Sequence, residues 1–296
     1  MKKFFLCFSL LTALAVFTAC EKVNLDDLRD DDTEQEQGVK LTFNVMKFEQ
    51  TSFNDPTYVT RANINELCNK INFALYDKDK ARLKYVNQKS EDKDFGKISF
   101  NVEAGTYKVV ILAHSCSANA TTTNVEKITF PDNKVTDTFY YFAEIQVDSD
   151  KSYDVQLKRI VSMFKLVTDD DIPENVKKFK FYYTGGSSTL NGLTGYGCVN
   201  SKQTEIRTVN STAKGQEFSV YTFLHADEGT LKMTVTALDA SDMAVKEIQF
   251  ESVPMKRNTI SQYKGSFFSG GGGASGASVF SLSADGAWEN TNNYSY

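Results

Sequence analysis

Alternation of apolar and polar residues with a period of two recurs along this 296-residue chain and restricts its fold more than any other feature. Val39, Leu41, Phe43 and Val45 alternate with Lys40, Thr42 and Asn44. In an extended backbone this places one row of side chains against a core and the other in water. The same pattern marks strands at Ile71–Tyr76, Leu83–Val86, Lys97–Val102, Thr106–His114, Phe139–Val147 and Tyr153–Val161. A second set runs through Ser162–Thr168, Lys178–Tyr183, Phe218–Leu224, Leu231–Leu238, Val245–Phe250 and Tyr263–Phe268. No stretch sustains the 3.6-residue period of a long helix, and only a short one is expected near Asn63–Asn69. The 22 Phe and 14 Tyr against four Pro favour strands and a well-filled core. Ala104-Gly105 reads as the turn of a hairpin between two apolar arms, and Asp148–Lys151 as another turn. Many short strands separated by turns predict an all-β chain of two tandem antiparallel β-sandwiches, residues 39–161 and 162–268. Within the second set lies Thr184–Gly197, a Gly-rich loop far longer than a hairpin needs.

The ends of the chain read differently. Lys2 and Lys3 precede an apolar run from Phe4 to Phe17, too short to span a bilayer but of the length and charge of a secretory signal. Its last residues, Phe17-Thr18-Ala19-Cys20, resemble the lipobox of bacterial lipoproteins, although Phe17 stands where Leu is usual. The resemblance implies removal of residues 1–19 and acylation of Cys20, which would anchor the protein stably in a membrane. The alternative is an ordinary signal with an incidental cysteine. Residues 21–37 carry eight acidic and two basic side chains and almost nothing to bury, so residues 20–38 are expected to form an extended tether. Asp26, Asp27, Asp30, Asp31 and Asp32 resemble the surface-export signal of Bacteroidetes lipoproteins; a plain spacer is the alternative. At the other end, residues 269–296 combine a Gly/Ser linker with Val279, Phe280, Leu282 and Ala284, a strand on a leash. That strand either completes its own fold or is donated to a neighbour.

With Lys2 and Lys3 removed, the formal net charge of −5 becomes −7; the tether holds −6 of it, which leaves the body close to neutral. A basic face for nucleic acid is therefore not expected. Cys68, Cys116 and Cys198 remain after processing, an odd number whose spacing fits no zinc or redox motif, so buried inert thiols are expected. The two histidines, His114 and His225, stand at no metal-ligand spacing, and no nucleophile elbow or phosphate loop is present. Asp169, Asp170 and Asp171 precede Pro173 and read as a turn rather than as paired catalytic carboxylates. No catalytic residue, metal, cofactor or small-molecule substrate is expected.

Several phrases of the second half, "RIVSMFKLVTDD" (159–170), "LTGYGCVNSKQTEI" (193–206), "FSVYTFLHADEGTLKMTVTALDASD" (218–242) and "VPMKRNTISQYKGSFF" (253–268), resemble the Bacteroidales fimbrillin superfamily. They look closest to its fimbrillin-associated anchor lipoproteins, and "VEAGTYKVVILAH" (102–114) resembles a first-domain stretch of the same family. This resemblance implies two transthyretin-like sandwich domains, an outer-membrane lipoprotein facing the cell surface, and fimbrial subunits as partners. It also implies assembly by strand exchange, in which a first strand is removed after an arginine and replaced by a partner's strand. Here Val39–Phe48 is the candidate removable strand and Arg61 the candidate cleavage site. Cleavage at Arg61 would separate the body from Cys20, so an anchor is expected to stay uncut, and a stalk or tip subunit to be cut. A third reading, a glycan-binding surface lipoprotein, rests on Tyr182, Tyr183 and Tyr196 around the Gly-rich loop.

Overall fold

The computed structural model describes residues 38–48, 67–269 and 290–291. The first strands are β1 (Val39–Phe48), β2 (Lys70–Tyr76), β3 (Arg82–Lys89), β4 (Lys97–Val102) and β5 (Gly105–His114). A short β6 (Ile128–Thr129) lies in the connection to β7 (Thr138–Val147) and β8 (Lys151–Arg159). The second set holds β9 (Val161–Thr168), β10 (Lys178–Thr184), β11 (Thr189–Asn191), β12 (Tyr196–Gly197) and β13 (Gln203–Thr208). It ends with β14 (Glu217–Phe223), β15 (Glu228–Leu238), β16 (Ala244–Lys256), β17 (Thr259–Gly265) and β18 (Asn290–Thr291). The protein is all-β, as its alternation requires, with a short 3-10 turn at Pro131–Asn133.

Strand order repeats between the two sets. In the first, one seven-stranded sheet runs β3-β2-β5-β7-β8-β1-β4; the two-pair β7–β8 ladder joins its halves, β3-β2-β5-β7 and β8-β1-β4, which share one core as the two layers. In the second, β13-β10-β15-β16 face β14-β9-β17. Each first strand, β1 or β9, thus lies between the strand that pairs with it antiparallel and the last strand, which pairs with it parallel. Elsewhere in the two sandwiches the ladders are antiparallel, and β18 adds a two-residue parallel pairing to β17. Leu41, Phe73, Ile111, Phe139 and Leu157 share the first core, and Phe164, Phe181, Val235 and Tyr263 the second. A third cluster joins the outer row of β2 and β5 (Ala74, Tyr76, Val110, Leu112) to Ile160, Val161, Phe223 and Ile260. The small sheet β12-β11-β6 and the hydrogen bond from Tyr140 Oη to the Gly192 carbonyl (2.8 Å) add to this junction.

Two expectations fail. Ala104-Gly105 does not turn a hairpin: β4 pairs with β1, β5 pairs with β2 and β7, and the link crosses from one layer to the other. Alternation fixes which face is buried and leaves the partner open, so adjacent amphipathic strands read as a hairpin whether or not they pair. The stretch Thr184–Gly197 is not a plain loop either, since it contributes β11 and β12. Asp148–Lys151 does connect two strands in register, but their ladder is confined to Phe139–Arg159 and Tyr140–Lys158, and toward the turn the strands separate into different layers.

Candidate functional site

The site is β1 in its slot. Leu41 and Phe43 are fully buried, Phe48 nearly so, and Val39 and Val45 are half-buried. On one side Val39–Asn44 pair with Val102–Lys97; on the other Leu41–Val45 run alongside Lys151–Val155. Main-chain groups of both neighbours therefore close on β1. The ring of Phe43 stacks on Tyr153 of β8 with centroids 5.1 Å apart, and Phe48 meets Phe139 edge-on at 4.8 Å. The outward row carries polar contacts instead. Thr42 Oγ1 lies 2.9 Å from Ser99 Oγ, and Asn44 Nδ2 donates to Ser152 Oγ (3.2 Å) and Asp154 Oδ1 (3.0 Å). At the strand's start the Lys40 amide donates to Asp150 Oδ1. Gly38 there has φ of 145°, and a Cβ on it would stand 2.9 Å from the Val102 carbonyl oxygen, so glycine is required where the chain enters the slot.

Of the residues singled out from the sequence, Val39, Leu41, Phe43 and Val45 fall together in β1. Cys20, Arg61, Val279, Phe280, Leu282 and Ala284, and most of the helix near Asn63–Asn69, lie outside the described residues. Phe48 escaped the pattern. A β-bulge between Val45 and Lys47 inserts one residue and leaves Met46 60% exposed, so the parity reverses and an even-numbered residue turns inward.

Other candidates have structural places. Tyr182, Tyr183 and Tyr196 form no shared platform. Tyr183 is fully buried with its hydroxyl on Glu205 and the Tyr221 carbonyl, and Tyr196 is held by Asp227 and by Arg257 over its ring. Tyr182 is exposed on the opposite side of β10 from Tyr183, as strand alternation demands. Asp170 accepts the amides of Phe267, Phe268 and Ser269, Asp171 accepts that of Lys214, and Asp169 pairs with Lys264, so the acidic triplet is a turn with structural partners for each carboxylate. His114 is buried against Asn72, whose Oδ1 accepts from its Nε2 at 2.7 Å, while its Nδ1 accepts the Cys116 amide. Burial, with Lys70 nearby, pushes its pKa down to about 4, so it is neutral at physiological pH. Burial raises the Cys68 thiol to about 12 and also lifts Cys116 and Cys198, which makes all three poor nucleophiles; none forms a disulfide. Among the described residues no group of three or more His, Cys, Asp or Glu could hold a metal ion.

The geometry defines a class: an all-β protein of two like-ordered sandwiches whose first strand is inserted between two others of its layer. The chain belongs to a family of unknown function, DUF6562, whose model matches residues 32–292. No curated protein matches it. Among solved structures, a candidate adhesin of Bacteroides ovatus shares the fold with a TM-score of 0.51 at 13% identity, over 83% of this chain and 88% of that one. A fimbrial assembly protein of Parabacteroides distasonis gives 0.39 at 13% identity, over 77% and 90%. The fimbrial anchor protein Mfa2 of Porphyromonas gingivalis gives 0.41 at 10% identity, over 72% and 82%.

Proposed function

We infer that this protein is a non-enzymatic subunit of a cell-surface fimbria, most simply the lipid-linked outer-membrane anchor, which assembles with other fimbrial subunits through β-strand complementation. Residues 39–161 and 162–268 are its two sandwich domains, and Cys20 carries the lipid. One observation carries the reading. β1 precedes every other described strand, yet it is inserted between β4 and β8 instead of lying at an edge. A strand in that position can leave without unthreading the rest of the sandwich, and its departure would open two strand edges and a row of apolar pockets for a partner's strand. The fold shared with the Bacteroides ovatus candidate adhesin, and the fimbrial roles named for the Parabacteroides and Porphyromonas proteins, agree in kind with this reading.

The same observation favours a second reading, a stalk or tip subunit cut after Arg61. The intact mass of the protein purified from its host's membranes separates the two. A chain that starts at an acylated Cys20 supports the anchor, whereas one that starts at Ala62 without lipid supports the polymerising subunit. An unacylated chain that retains residues 20–61 in a soluble fraction would refute both. Cys20→Ser is expected to release the anchor from the membrane.

A further inference from the structure

We propose that the free edge of β13 is a second docking site, which takes an extended strand, Val279–Asp285 of another copy of this chain, as an added strand of the outer layer. β13 ends its sheet. The Val209 amide donates to the Lys177 carbonyl at 2.9 Å, which fixes the phase of the ladder: Arg207, Glu205 and Gln203 bond to β10, and the amides and carbonyls of Thr204 and Ile206 point away from the sheet. Arg207 Nη1 donates to the Ile206 carbonyl at 3.1 Å, and among the described residues no strand covers the two amides.

A trough of about 620 Å³ runs along this edge. Five consecutive residues, Lys202–Ile206, line it, which happens only when a cavity follows the backbone rather than one face of the strand. Asp132 and Asn133 stand on the far wall with φ of 56° and 54°, side-chain-bearing residues in the left-handed region where strain collects at functional sites. Gln203 lines the trough at 5% exposure; its Oε1 accepts from Thr222, and its Nε2 has no partner. Ile206 and Val199, also in the lining, are 43% and 40% exposed. Among the described residues no aromatic ring lines the trough, which favours main-chain pairing over stacking on a sugar.

The occupant must therefore alternate apolar side chains, beside Ile206, with polar acceptors beside the Gln203–Glu205 row. The chain contains such a segment: Phe280, Leu282 and Ala284 alternate with Ser281, Ser283 and Asp285, between the Gly/Ser run that follows Ser269 and the short β18 that pairs with β17. This docking does not depend on whether β1 is exchanged.

The test is titration of the full chain with a synthetic peptide of residues 278–285, read by fluorescence anisotropy and by hydrogen exchange. Saturable binding is expected, with exchange slowed at Thr204 and Ile206. Ile206→Pro removes one outward donor without touching the ladder to β10, as edge strands allow, and should weaken binding about tenfold while the melting temperature holds. A peptide N-methylated at alternate amides should fail in the same way, and it decides the matter if Ile206→Pro unfolds. Equal binding by Ile206→Pro or by the methylated peptide, absence of binding, or protection elsewhere overturns the proposal. So does a trough that binds maltohexaose in place of the peptide.

Discussion

Phe43→Ala removes the side chain on which the seating of β1 most depends. Phe43 is fully buried, lies between Ile98 of β4 and Tyr153 of β8 in register, and stacks on Tyr153 with ring planes 12° apart. Truncation of a buried Phe costs about 3–5 kcal/mol, the lost transfer energy plus the cavity left behind. A change of 1 kcal/mol moves the melting temperature of a protein of this size by about 2–4 °C, so a fall on the order of 10 °C is expected. Calorimetry on the full chain measures it directly. Thr42→Ala, one residue away on the solvent row, should shift the melting temperature by no more than about 2 °C, because it loses only a hydroxyl contact that water can replace. If Phe43→Ala melts within about 2 °C of the parent, β1 does not contribute to the cooperative core. The slot reading then fails, and strand complementation at β1 with it.

Further outcomes follow from the same geometry. Leu41, Phe43 and Phe48 together contribute about 5–9 kcal/mol of apolar burial, so a chain nicked between Phe48 and Lys70 should keep its first strand through gel filtration and lose it in denaturant. Arg159 forms two hydrogen bonds to Asp137, at 2.7 and 2.8 Å, and lies over the Phe139 ring; Arg159→Met should destabilise the fold by about 3 kcal/mol in urea unfolding. Burial would raise the Asp170 carboxyl, but the three amides that it accepts outweigh that and hold it below the usual range; their contribution is present above about pH 4 and lost on acidification below that, when exchange at Phe267–Ser269 should accelerate. His114 has its folded pKa depressed to about 4 from 6.5, so the unfolded chain binds the extra proton between those values; stability should decline by about 3 kcal/mol from pH 6.5 to pH 4, and His114→Gln should flatten that slope.

How much of this was legible in the sequence depends on what each residue had to reveal. The row Val39, Leu41, Phe43 and Val45 was legible because burial on one face writes itself as a period of two. Phe48 was not, because one bulged residue reverses the parity and no local signal marks the bulge. β13 was hidden for a different reason. Its inward residues, Gln203 and Glu205, are polar and only 4–5% exposed, with the Gln203 carbonyl oxygen on Thr222 and the Glu205 carboxylate on Tyr183 and Arg207, so the strand carries no hydrophobic period. Asn72 is hidden likewise: it stands in the outer row of β2, fully buried, because His114, Asn87, Asn119 and the Ala120 amide complete its hydrogen bonds.

The repeated strand order bears on why the exchange proposed above would fall to β1 and not to β9. β9 holds the equivalent place in the second sandwich, antiparallel to β14 and parallel to β17, and all eight of its residues are buried. Only Ile160 separates it from β8, however, and Ile160 itself is packed in the cluster that joins the sandwiches. Withdrawal of β9 would drag β8 out of the first sandwich and expose both cores at once. Among the described residues β1 has no strand before it, and a stretch of some twenty residues separates it from β2. Its loss exposes one core, along one slot, with β4 and β8 left in place to receive another strand. Two positions of identical topology thus differ in what their removal breaks, and that difference comes from chain connectivity rather than from the pairing itself.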